Sequence, residues 1–124
     1  MDDLPLIFTY TRAQALADGV LIDVTPTACA AGFRCSVAVT KALWDDITDI
    51  PPRLAGIADV DGRLWDVLWM AFLHARRNPH ASRSTYELSL PVGAARTRRY
   101  TVQMVAGPGD AGELVITLLR PEES

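Results

Sequence analysis

The sequence predicts an α+β domain: a three-stranded antiparallel C-terminal meander packed on a central helix at about 62–77, with short helices and short strands in the N-terminal half. Three observations predict it. The stretch "DGRLWDVLWMAFLHARR" (61–77) spaces its apolar residues at the helical period. The last third alternates apolar with polar residues in three runs set apart by turns, the pattern of half-buried strands. The first half is cut by Gly19, Gly32 and Pro51-Pro52 into pieces that can form only short elements.

In chain order, Thr11 is expected to cap a short helix that Gly19 closes. A hydroxyl at the N-cap takes an otherwise unpaired N–H, and glycine accepts the left-handed backbone after the last turn. "VLIDVT" (20–25) follows as a short strand. Thr25-Pro26 reads as N-cap and first-turn proline of a second helix ending at Gly32. "VAVTKALWDDI" (37–47) starts β-like and becomes helical after Thr40, with Ala42, Leu43, Trp44 and Ile47 as its apolar stripe, until Pro51-Pro52 stops it.

The central helix is the strongest signal. Leu64, Trp65, Val67, Leu68, Trp69, Ala71, Phe72, Leu73 and Ala75 sweep about two-thirds of a helical wheel. An arc that wide predicts burial on more than one side, Trp65 and Trp69 included. The polar remainder is a narrow stripe of Arg63, Asp66, His74 and Arg77 with Met70 in its midst. Arg63 and Asp66, three residues apart, are expected to form a surface ion pair. Asp59 or Asp61 can cap the start, and Asn78-Pro79 ends the helix. Charges interrupt the apolar run well short of the roughly 20 residues a bilayer requires, so no membrane segment is expected.

Three strands follow. Tyr86, Leu88, Leu90 and Val92 share one face, Tyr100, Val102 and Met104 a second, and Leu114, Ile116 and Leu118 a third. "GPGDAG" (107–112) is the last turn, with Asp110 expected to hydrogen-bond its own backbone.

Composition sets the class. At 124 residues, 49% hydrophobic and 22% charged, the chain suits one folded domain, 1–124. Its acidic start, "MDDLPLIF", lacks the basic flank and long apolar run of a secretory signal, which points to a reduced, cytoplasmic protein with Cys29 and Cys35 as buried structural thiols. The formal charge of −3 is uneven: residues 1–66 carry −5, residues 74–99 carry +5 and residues 100–124 carry −3. The middle block holds Arg76, Arg77, Arg83, Arg96, Arg98 and Arg99, a basic patch able to meet phosphates or an acidic protein if it folds together.

No catalytic pattern stands out. Asp66 and His74 lie eight residues apart, about 12 Å along a helix, too far for a direct acid–base pair. There is no CxxC or HExxH for a metal and no phosphate loop, so neither a metal nor a cofactor is expected. Asp45, Asp46 and Asp49 form a small acidic patch after Trp44.

The segments "IFTYTRAQALADGVLIDVT" (7–25), "AGFRCSVAVTKALWDD" (31–46), "GRLWDVLWM" (62–70) and "GPGDAGELVITLLRPE" (107–122) resemble a family of small bacterial proteins of unknown function found on phages, plasmids and integrative elements. The resemblance implies an accessory protein of a mobile element and brings no catalytic residues with it. Elements of that kind often carry inhibitors of host defence, of anti-CRISPR or anti-restriction type, by analogy of setting alone.

The expected function is therefore non-catalytic binding of a host or element protein. Candidate contact residues are Tyr10, Arg12, Asp18, Asp66, Met70, Arg76, Arg77, Arg96, Arg98 and Arg99. Two rival readings remain open: a small enzyme built around Tyr10, Arg12 and Asp18, and a nucleic-acid regulator using the arginine block 76–99. The oligomeric state is open.

Overall fold

The computed structural model describes residues 10–56, 58–93 and 96–123. The octapeptide "MDDLPLIF" and Thr9 lie outside them. The elements are helices α1 (Arg12–Ala17), α2 (Thr25–Ala31), α3 (Lys41–Thr48) and α4 (Val60–Arg77), and strands β1 (Leu21–Asp23), β2 (Ser36–Thr40), β3 (Arg83–Gly93), β4 (Arg96–Pro108) and β5 (Leu114–Leu119). Short 3-10 turns at Pro52–Leu54 and Pro121–Glu123 complete the list.

The α+β class holds, and the meander β3-β4-β5 is antiparallel throughout. It is also larger than expected. β5 pairs in parallel with β2, placing Val37 opposite Ile116, and β1 adds antiparallel to β2. The result is one mixed five-stranded sheet in the order β1-β2-β5-β4-β3.

One face of the sheet carries the core. Val37 and Val39, Ile116 and Leu118, Val102 and Met104, and Tyr86, Leu88 and Leu90 all point there, as the two-residue period requires. Leu43 and Ile47 of α3 and Leu64, Val67, Leu68 and Ala71 of α4 close over them. Tyr86 is buried with its polar end satisfied, since its hydroxyl donates to the Val67 carbonyl at 2.8 Å. α1 lies against the opposite face, where Thr117 points.

Local signals place most boundaries. Thr11 and Gln14 form a reciprocal capping box on α1, Thr40 caps α3, and Asp59 caps α4, which starts at Val60, ahead of the expected 62. Two expectations shift. β1 is only three residues long, and the N-cap of α2 is Val24 rather than Thr25. The Thr25 hydroxyl instead donates to Asp23 at 2.6 Å and accepts from the Val37 amide at 3.0 Å, fastening α2 to β2.

The larger correction concerns α4. Its covered side centres on Leu64, Val67, Leu68 and Ala71, whereas Trp65 and Trp69 stay 39% and 40% exposed. The apolar arc is wider than the sheet and its flanking helices can cover. Arg63, expected on the polar stripe beside Asp66, is 8% exposed. Its guanidinium donates to the Asp46 and Asp49 carbonyls at the end of α3, both at 3.2 Å, so it serves the carbonyl end of another helix and makes no ion pair with Asp66. His74 is likewise half-buried, with Nε2 2.8 Å from the Ser84 hydroxyl and its ring beside Tyr86. Burial, and then the charge of Arg77, lowers its pKa.

Candidate functional site

A groove of about 820 Å³ lies between α2, the C-terminal end of α4 and the adjoining ends of β2, β4 and β5. Its apolar lining includes Phe33, Phe72, Met104, Ala106, Leu114 and Ile116; Arg34, Arg76 and Glu113 are among its charged residues. Leu114 is 58% exposed, an apolar side chain left in water at the start of β5.

Glycine builds the groove's inner wall. Gly32 ends α2 with φ at 126°, and a Cβ there would lie 2.6 Å from the Phe72 ring. Only the missing side chain lets α2 approach α4 so closely. Phe72 then meets Phe33 edge-on, with centroids 5.6 Å apart. Cys29 and Cys35 also line this groove; Cys29 is exposed and Cys35 half-buried, which corrects their expected place in the core. Partial burial, and then the proximity of Cys29, raises the Cys35 thiol pKa.

An aromatic ladder leads from the groove along α4. The rings of Trp65 and Trp69 are stacked 6.0 Å apart and within 7° of parallel, Trp69 stacks on Phe72 at 6.0 Å, and the Arg76 guanidinium lies 5.8 Å from the Phe72 ring centre. Residues 65, 69, 72 and 76 form one stripe because spacings of three and four share a helical face.

A second cluster knots the other end of the molecule. Asp46 accepts from Arg120 Nε at 2.8 Å and Nη2 at 2.7 Å, and also from the Tyr100 hydroxyl. Partial burial works to raise the Asp46 pKa, but the hydrogen bonds from Arg120 and Tyr100 outweigh it and hold the carboxyl below its ordinary value. Burial, and then the bond to Asp46, pushes the Tyr100 phenol upward. Asp46 is therefore more than part of an acidic surface patch: it ties α3 to β4 and to the chain end.

The residues expected to share an N-terminal site do not converge. The Tyr10 hydroxyl donates to Asp18 at 2.9 Å on the exposed side of α1. Arg12 turns the other way, donating to Thr117 Oγ1 at 2.8 Å and the Ile116 carbonyl at 2.9 Å. Asp110, expected to satisfy its own turn, accepts from the Arg12 and Ala13 amides at 2.9 and 3.0 Å, and these bonds lower its pKa. Arg12 and Asp110 thus fix α1 to the sheet. Asp66 stands on α4 away from all of them, its pKa raised by partial burial, and Met70 is half-buried against the core.

Nor does the arginine block fold into one patch. Arg76 and Arg77 end α4 and Arg83 opens β3, but Arg99 pairs with Ser89, six residues and about 20 Å along the strand from Arg83. Arg98 flanks Asp46 and Tyr100, Arg99 lies 3.7 Å from Glu87, and Arg96 begins β4. Trp65, Trp69 and Leu114, exposed large apolar side chains, are absent from the expected contact residues. Their exposure has no local signature, since an apolar helical period looks the same whether covered or bare.

Among the described residues no three histidine, cysteine or carboxylate side chains stand close enough to form a metal-ligand group. No helix among them is long and apolar enough to cross a membrane. No curated protein and no solved structure matches the chain. A family model does, over residues 2–124, and the chain accordingly belongs to DUF6573, a family of unknown function.

Proposed function

We propose that this chain is a non-catalytic protein-binding module whose groove between α2 and α4 takes an apolar segment of its partner. One observation supports this above all: the groove is open and largely apolar, with Leu114 58% exposed beside it, while the polar groups of the molecule are engaged in structural bonds or scattered. Exposed apolar surface of that kind marks sites that meet another protein or a ligand. Arg34 and Arg76 suit a segment that carries an acid beside its apolar anchor. The mobile-element setting implied by the sequence resemblance makes a cytoplasmic host protein the proposed target, in the manner of anti-CRISPR or anti-restriction inhibitors.

The test uses affinity capture from bacterial lysate with wild type and with Leu114→Glu, an exposed position where the substitution leaves the core intact. The expected result is a partner retained at fixed stoichiometry by wild type, lost by the variant, and rebound in purified form with the same preference. Binding indifferent to Leu114→Glu would remove the groove from the proposal. Multiple turnover of a substrate, abolished in a single folded variant, would overturn the non-catalytic reading itself.

A further inference from the structure

The sheet ends on a long edge. β3 pairs only with β4, in a register continuous from Arg83 to Pro91. The Ala106 amide donates to the Ser82 carbonyl at 2.8 Å, so Ser82 and, by the strand period, residues 84, 86 and 88 turn their backbone groups toward β4. The N–H and C=O groups of Arg83, Thr85, Glu87 and Ser89 therefore point out of the sheet, at exposed residues, with no backbone partner among the described residues. Pro91, next in that series, has no N–H to offer, which suits an outward-facing position. An edge of this kind is a template for another strand.

α4 overhangs the same edge and runs antiparallel to β3. His74 meets Ser84 and the Val67 carbonyl accepts the Tyr86 hydroxyl, each at 2.8 Å, while Arg63 reaches the Pro91 carbonyl at 3.5 Å. Phe72 turns toward α2 and Gly32. At about 100° per residue, Asp66, Met70, Leu73 and Arg77 fall within about 60° of one another on the other flank, which faces past β3. Their alternating spacing of four and three is that of a helix-pairing seam. Met70 and Leu73 are half-buried, and neither Asp66 nor Arg77 has an ion-pair partner among the described residues.

A second copy fits the strand and the helix about one twofold axis. With Thr85 on the axis, antiparallel β3 edges set Thr85 against Thr85 and Arg83 against Glu87, all residues whose backbone groups point outward. Glu87 is only loosely held in its own copy, 3.7 Å from Arg99. Centring the strands on Glu87 instead would oppose two like charges. On the helix, an axis between Met70 and Leu73 sets Asp66 against Arg77 and Met70 against Leu73 of the second copy, each pair occurring twice. The two axes coincide. Thr85 lies between Ser84 and Tyr86 on the strand, as Met70 and Leu73 lie between their respective partners His74 and Val67 on the helix. An axis normal to the sheet keeps both core faces on one side, so the two α4 helices lie next to each other.

We propose that the chain forms a twofold homodimer in which the β3 edges pair at Thr85, joining the two five-stranded sheets into one, while the Asp66–Arg77 flanks of α4 pair above them. The inference is independent of the groove, which none of these residues lines, and Leu114→Glu should leave the dimer intact.

Sedimentation velocity on the full chain, from low-micromolar to several hundred micromolar at low salt, should show a species of twice the 13.5 kDa mass of one chain. Thr85→Pro loses no bond to β4, because the Thr85 N–H points outward. It should keep native circular dichroism and weaken association roughly tenfold or more. Asp66→Arg and Arg77→Asp should each be monomeric alone and form a heterodimer when mixed, since the mixture restores both charge pairs. In a background of Cys29→Ser with Cys35→Ser, Thr85→Cys should cross-link to its copy on mild oxidation, whereas Ser89→Cys, away from the axis, should not. A wild type that stays monomeric across the range overturns the proposal, even if the edge takes a strand from another protein. So does a dimer indifferent to Thr85→Pro and to the charge variants, or one that cross-links through Ser89→Cys and not through Thr85→Cys, since its interface or its register would be different.

Discussion

Asp46→Asn tests whether the Asp46–Tyr100–Arg120 cluster carries stability. The substitution keeps the shape and one acceptor but removes the charge that three donors share. Fully exposed ion pairs contribute up to about 1 kcal/mol, whereas hydrogen bonds to charged groups inside a protein reach about 1.5–3 kcal/mol. The side chains of Asp46 and Arg120 are each 32% exposed and meet through two short bonds, which places the pair between those limits. The expected loss is about 2 kcal/mol, or roughly 6–10 °C in Tm for a domain of this size. Urea unfolding at neutral pH measures it. A double-mutant cycle with Arg120→Met isolates the pair, with a coupling of at least about 1 kcal/mol expected. The pH dependence has a definite sign. The Asp46 pKa is lowered on folding, so its contribution is complete above the unfolded carboxyl value of about 3.9 and is lost as pH falls through the lower folded value. The difference between wild type and Asp46→Asn should therefore be constant at neutral pH and close only in acid. A coupling under about 0.5 kcal/mol, or a difference that vanishes already near neutrality, would refute the reasoning.

Three further outcomes follow from neighbouring features. Leu68→Ala, at a position with no solvent exposure, should cost about 3–4 kcal/mol by urea unfolding, while Trp69→Ala one residue on should cost about 1 kcal/mol in the monomer, because solvent fills the space it leaves. Gly32→Ala should destabilise by about 2–3 kcal/mol, since φ of 126° strains any other residue and the new Cβ would strike Phe72; a neutral result by thermal melting would mean that α2 can shift away from α4. Asp110→Ala should leave the global unfolding midpoint almost unchanged and accelerate hydrogen exchange at the Arg12 and Ala13 amides, and unaltered exchange there would remove Asp110 as the acceptor that holds them.

The sequence by itself determined the local structure. Alternation of apolar and polar residues from Tyr86 to Leu118 was enough for the meander, and Thr11 and Thr40 announced helix starts, with Asp59 one of two acids that could cap a third, because a cap acts on amides only two or three residues away. The tertiary structure decided everything that depends on distant neighbours. The parallel pairing of β2 with β5 joins Val37 to Ile116 and leaves no trace in either strand's own pattern. Asp46 and Arg120 are 74 residues apart, Arg12 and Asp110 98, so their charges read as scattered surface until the chain brings them together. The helix 61–77 shows the division within one element. Its period fixes which residues share a face, but whether that face is buried depends on what else packs against it. The sheet and its flanking helices cover Leu68 and leave Trp65 and Trp69 bare. Periodicity encodes direction around an axis, whereas burial is a property of the assembled layers.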